Sequence, residues 1–180
     1  MGEKEKMKIE VEILLPYPSK PFVVSEPKWL TDPPDLFWIN DRLAITLGKI
    51  LWRNRFGFIE YVPPGLPHDG ESLFWPASCI WDRWDIRDRQ AVALHDKNYA
   101  CHDFVRNWPV TRKQADFNLV DGFKLSKTGG ARIRYIAVKL GGETIWRNVP
   151  KDALMVGWLK AVAAGPGVLK AWIKSVKKVA

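Results

Sequence analysis

The chain has 180 residues, 47% of them hydrophobic and 27% charged, which is enough for one substantial core, too little for two typical domains, and excludes disorder. Two cysteines, Cys79 and Cys101, exclude a disulfide scaffold while leaving a single bridge between them open. The net charge is +8, no apolar run reaches the roughly 18 residues of a membrane span, and the charged start Met1 to Lys8 lacks the apolar core of an ordinary signal peptide.

The first segment alternates with period two, with Ile9, Val11, Ile13 and Leu15 on one side, and reads as a half-buried strand that Pro16, Pro18 and Pro21 end. Pro27, Pro33 and Pro34 then keep the chain looped. A second β region follows. Leu43, Ile45 and Leu47 alternate against Ala44, Thr46 and Gly48, and Phe56, Phe58 and Glu60 against Ile59 and Tyr61, with a turn expected at Trp52 to Arg55. These strands predict a small antiparallel sheet. After Pro63-Pro64-Gly65 a loop rich in glycine, proline and tryptophan runs to about Trp84.

From Asp85, a fair N-cap, the spacing of Ile86, Ala91, Leu94, Tyr99 and Cys101 predicts a helix that Asn107-Trp108-Pro109 breaks. Thr111 and Gln114 have the spacing of a capping box, which starts a second helix running to about Leu125. Thr128-Gly129-Gly130 separates it from a third, Ala131 to Trp146, with Ile133, Ile136, Ala137 and Leu140 expected as its buried stripe. Strands first and helices after predict an α+β fold: a small N-terminal antiparallel sheet, then a helical bundle. That body spans residues 1–148.

Residues 149–180 form a separate tail. Its six lysines against Asp152 account for +5 of the +8, so the body is nearly balanced. Gly165-Pro166-Gly167 splits the tail into two helical patterns. In the last, Val168, Leu169, Trp172, Ile173, Val176 and Val179 share one face, and Lys170, Lys174, Lys177 and Lys178 the other. Such a basic amphipathic helix packs on its own domain or a partner subunit, or lies on an anionic membrane. Nucleic acid is the weaker expectation, since no basic groove pattern and no zinc-finger, bZIP or RNP motif is present.

Chemistry points to one constellation. His95 and Tyr99 are i and i+4 on the first helix and share a face, while Asp96 points about 100° away. A histidine beside an aspartate on a helix otherwise built of alanine and leucine needs polar partners. Asp116, on the next helix, is the candidate partner for one nitrogen of His95, leaving the other as a base toward water. Asp96 is then available to a hard divalent cation, with Asp69 or Glu71 from the loop Val62 to Ser72 as a further carboxylate. His68 and His102 would make a zinc site with His95 only if separate segments converged. From the residues alone, the same four side chains read first as a satisfied polar network locking two helices together.

Two resemblances bear on that choice. The ordered blocks Val62-Pro63-x-Gly65-x-x-x-Asp69-x-x-Ser72, Trp75, Ala91-x-x-x-His95-Asp96-x-x-Tyr99, Arg112-x-x-Ala115-Asp116, Tyr135-x-Ala137-Val138-x-x-Gly141 and Trp146 resemble the phage and prophage family called domain of unknown function 1353. The likeness covers Leu43 to Trp146 and departs from the family pattern at His68, Glu71 and Phe74. It implies a phage or prophage origin, residence in the virion or host cytoplasm, and other virion or phage proteins as partners.

More locally, His95-Asp96-x-x-Tyr99 followed by Ala115-Asp116 is similar to the active-site helices of secreted phospholipases and of the parvovirus capsid phospholipase segment. That likeness implies a calcium-dependent ester hydrolase. His95 would activate water, Asp96 hold calcium, Asp116 orient His95 and Tyr99 give support. The loop Gly65 to Gly70 does not reproduce the calcium loop of those enzymes. The alternative is a non-catalytic virion or assembly component, whose 10 tryptophans suit core and contact surfaces.

Overall fold

The computed structural model describes residues 26–70, 85–101, 111–147 and 153–179. The expected strand at Ile9 to Leu15, the break at Asn107-Trp108-Pro109, and Cys79 lie outside them. Strands come first and helices after, so the fold is α+β. The strands are β1 (Lys28–Trp29), β2 (Leu36–Asn40), β3 (Leu43–Thr46), β4 (Ile50–Arg53), β5 (Ile59–Val62) and β6 (Pro67–His68). The helices are α1 (Arg89–Cys101), α2 (Arg112–Ser126), α3 (Ala131–Arg147), α4 (Ala153–Ala164) and α5 (Pro166–Val179).

The strands form two three-stranded antiparallel sheets, β1-β4-β5 and β2-β3-β6, where the sequence predicts one. β3 lies between β2 and β6, and Ala44, Ile45 and Thr46 are all buried, so the simple in-out alternation is lost. Thr46 also joins β3 to the loop between β5 and β6, its hydroxyl accepting from Leu66 N at 3.2 Å.

The turn joining β4 to β5 is displaced from its expected place. Trp52 is fully buried inside β4, paired with Glu60, and the chain reverses after Asn54. The Asn54 side-chain oxygen accepts from Phe56 N at 3.0 Å and Phe58 N at 3.1 Å, and Gly57 takes the positive φ of 83° that the reversal requires. A side chain standing in for backbone partners is what the strand pattern cannot reveal.

α1 starts three residues later than the N-cap reading of Asp85. Asp85 instead closes a local turn, accepting from Arg87 N at 2.9 Å, and Val92 N bonds Asp88 O as the helix begins. The capping box at α2 is as predicted: Thr111 Oγ1 accepts from Gln114 N, and Thr111 N donates to Gln114 Oε1 at 2.8 Å.

α3 corrects its predicted stripe. Ile133 and Ile136 are 56% and 55% exposed, and it is Arg134 that is buried. Its guanidinium meets Asp88 at 2.5 Å and lies 4.5 Å from the Phe123 ring centre, while Ser126 and Thr128 also bond Asp88. Turning two isoleucines inward would leave Asp88 buried without its cation, a larger penalty than exposing them.

The tail helices share the body's core. Met155, Trp158, Leu159, Ala161 and Leu169 belong to one buried cluster with Ile50, Trp52, Val62, Leu66, Ala93 and Leu94. Trp172 and Ile173 pack against it, whereas Val168 and Val179 at the two ends of the expected face are exposed.

Glu60 lies at the junction of hairpin, α1 and α2. Its Oε1 accepts from Asn54 Nδ2 at 2.9 Å and Asn118 Nδ2 at 2.6 Å, and its Oε2 accepts from Asn98 Nδ2 at 3.0 Å. Buried Lys97 donates to Asn98 Oδ1, and Trp52 Nε1 donates to Asn118 Oδ1. Burial lowers the Lys97 ammonium to about 8 against the opposing pull of Glu60. Replacing Glu60 with Ala strands three amides in the core and removes the negative charge that favours the Lys97 ammonium. Urea unfolding is expected to show a loss of about 3–5 kcal/mol; a loss below about 1 kcal/mol would mean that the network carries little of the fold.

Candidate functional site

α1 and α2 run antiparallel and approach closely at Ala91 and Gly122. A Cβ at Gly122 would lie 2.5 Å from the Ala91 Cβ, so only glycine permits this approach. Further along the same pair of helices, the chemistry-bearing side chains meet. His95 Nε2 is 3.3 Å from Asp116 Oδ1, and the Tyr99 hydroxyl donates to the same oxygen at 2.6 Å. The Tyr99 and His95 rings lie 4.1 Å apart, as their i and i+4 spacing requires.

With its proton on Nε2, His95 donates to Asp116 and keeps a lone pair on Nδ1, which lies 3.8 Å from Asp96 Oδ1. Accessibility rises from the buried orienting group outward: the side chains of Asp116, His95 and Asp96 are 5%, 13% and 24% exposed. Burial pulls the imidazole pKa down, but the nearby Asp116 and Asp96 carboxylates outweigh it and raise it above the ordinary histidine value. Burial, then the Asp116 carboxylate, push the Tyr99 phenol up, so it stays a donor.

Arg112 and Gly142 are two contributors that received no role from the sequence. Arg112 Nε faces Asp116 Oδ2 at 3.6 Å, and its Nη2 donates to Lys139 O at 2.5 Å, tying the carboxylate to α3. A Cβ at Gly142 would fall 2.6 Å from the Tyr99 hydroxyl. The signals were present: an arginine one turn before Asp116, and a glycine pair inside a helix, where glycine otherwise costs about 1 kcal/mol.

The structure thus gathers His95, Tyr99 and Asp116, with Asp96 at the outer edge. Asp69 is exposed, next to β6. His68 on β6 is buried, paired in register with Ala44. Glu71, Ser72 and His102 lie outside the described residues. Among the described residues no group of three or more His, Cys, Asp or Glu is placed to hold a metal ion. No helix among them is long and apolar enough to cross a membrane. Comparison with family models, curated proteins and solved structures finds no match to this chain.

His68 gives the fold an acid-sensitive point. Burial, then the charge of Arg89, lowers it from 6.5 to about 4, so the folded state holds it neutral while the unfolded chain protonates it. Stability from this group is complete above pH 6.5 and is lost as pH falls toward 4, by about 3 kcal/mol in all. Denaturant titrations across that window should show the loss in wild type and a shallower one in His68→Gln. A parallel pH dependence in the two proteins would contradict it.

A second expected outcome concerns packing at the site. Gly142→Ala should displace Tyr99 and Arg112 and lower stability by about 1–3 kcal/mol, read by thermal unfolding. Tyr99→Phe in the same background, by removing the clashing hydroxyl, should recover part of that loss.

Proposed function

We propose that this chain is an ester hydrolase encoded by a phage or prophage, in which His95 is the general base toward water. The observation that carries the reading is the imidazole facing buried Asp116 through Nε2 and the less buried Asp96 through Nδ1, the nitrogen that serves as base when the proton sits on Nε2. In that arrangement Nδ1 takes a proton from water as the oxygen attacks the ester carbonyl. Asp116 stabilises the resulting imidazolium, which returns the proton to the departing alkoxide. Tyr99 and Arg112 hold the Asp116 carboxylate in place and remain protonated throughout.

The phospholipase likeness adds lipid esters as the substrate class and calcium as the cation at Asp96, where it would supply charge stabilisation to the oxyanion. Asp96 offers one carboxylate that is partly open; the described residues do not complete a carboxylate cage around it. The proton transfers assigned to His95 do not depend on that cation.

One observation favours a second reading, a structural component of the virion. Three donors from α1 and α2 converge on Asp116, and Arg112 carries the connection on to α3, which is what a helix lock requires.

Hydrolysis of ester panels, including phospholipid vesicles, separates the two. In the enzymatic reading His95→Ala lowers turnover at least about 100-fold with little change in stability. The rate falls with acidity below the raised His95 value, and Asp116→Asn moves that limb to lower pH. No turnover in wild type, with a stability loss of several kcal/mol in His95→Ala, would establish the structural reading. Calcium chelation tests Asp96 separately: turnover that resists chelation removes the calcium and leaves the base.

A further inference from the structure

We infer that the outward face of α3 is a docking surface for anionic lipid. Ile133 and Ile136, one turn apart, are both more than half exposed, and Arg132 and Lys139 are exposed on the same helix. Lys124 and Lys127 are exposed where α2 ends and leads into α3, and Leu125 between them is 44% exposed. From Gly122 to Gly142 the sequence has no aspartate or glutamate. Of the cations in that stretch, Arg134 is turned into the core and neutralised by Asp88. Large aliphatic side chains therefore stand among exposed cations, with Glu143, beyond Gly142, as the one acid in the sequence of α3 itself.

That combination selects its partner. A second copy of the chain would bring the same four cations against themselves, so self-association through this face is opposed by charge. A nucleic acid would answer the cations and leave both isoleucines in water. An anionic bilayer surface takes both, with headgroups meeting the cations and the interfacial region accepting the isoleucines.

α5, where the sequence places membrane contact, commits the middle of its apolar stripe to the fold and leaves Val168 and Val179 exposed at its two ends. Leu169 is in the core, Ile173 abuts Gly65 and Trp172 abuts Gly157. α3, in contrast, keeps Ile133 and Ile136 outward because the Arg134–Asp88 pair sets its rotation. The same helix meets Tyr99 at Gly142, on its buried side.

The test is co-sedimentation of the full chain with phosphatidylglycerol and phosphatidylcholine vesicles at low and high salt. Wild type is expected on phosphatidylglycerol, at least tenfold more weakly on phosphatidylcholine, and more weakly as salt rises. Ile133→Ser with Ile136→Ser, and separately Arg132→Gln with Lys139→Gln, should each weaken binding about tenfold or more. All four side chains are exposed, and unchanged thermal unfolding confirms that the variants fold. His95→Ala should bind like wild type, so lipid docking stands or falls apart from the hydrolase reading. Binding that survives the α3 changes overturns the inference, as does binding lost on replacing Lys170, Lys174, Lys177 and Lys178 of α5 while the α3 variants still bind. Retention of duplex DNA without vesicle binding overturns it in favour of nucleic acid.

Discussion

The arrangement of hairpin, α1 and α2 depends on one buried carboxylate. Glu60 is 3% exposed and has asparagine amides from the hairpin, from α1 and from α2 on its two oxygens. A carboxylate taken out of water is costly unless its oxygens are answered by donors of fixed geometry. An amide has little freedom to satisfy it from the wrong register, so the three asparagines define how the segments meet. Asn54 does this while its oxygen shapes the turn, coupling the reversal of the chain to the packing of the helices.

The same device recurs at each junction. Asp88 gathers Arg134, Ser126 and Thr128 and fixes how α3 rotates against α1 and α2. Asp121 pairs with Arg55, which also lies over the Phe117 ring, and anchors the hairpin turn on α2. Asp116 gathers Tyr99, His95 and Arg112. Four buried acids therefore specify register where apolar contacts alone would tolerate sliding. Asp116 differs from the others in the chemistry of its partner. It holds a histidine, whose proton is exchangeable near neutral pH and whose side chain lies nearer the surface than the acid does.

Parts of this were legible beforehand because they rest on short-range rules. The capping box of Thr111 and Gln114 needs only a spacing of three, and the shared face of His95 and Tyr99 only the helical period. The partnership of His95 with Asp116 followed from two helices joined by a short connection, and the 3.3 Å contact agrees with it. The failures share a cause. Ile133 and Ile136 read as core within the period of their own helix, whereas Asp88, 46 residues before Arg134, decides which face turns inward. The hairpin turn was misplaced because Asn54 replaces backbone partners with its own amide. Gly142 carried no signal beyond being a glycine in a helix, since its role exists only relative to Tyr99.

By itself, then, the sequence determined the α+β order, the start of α2, the common face of His95 and Tyr99, and the concentration of lysines in the tail. Each of these is a property of neighbours along the chain, set by backbone periodicity, capping geometry or composition. Only the tertiary structure decided the Glu60 cluster, whose partners stand 38 and 58 residues away in α1 and α2. It alone also decided the rotation of α3, the use of the tail's apolar stripe in the core, and the closeness of Gly142 to the site. A buried polar group takes its identity from donors that arrive from distant segments, and no local period encodes which of them will arrive.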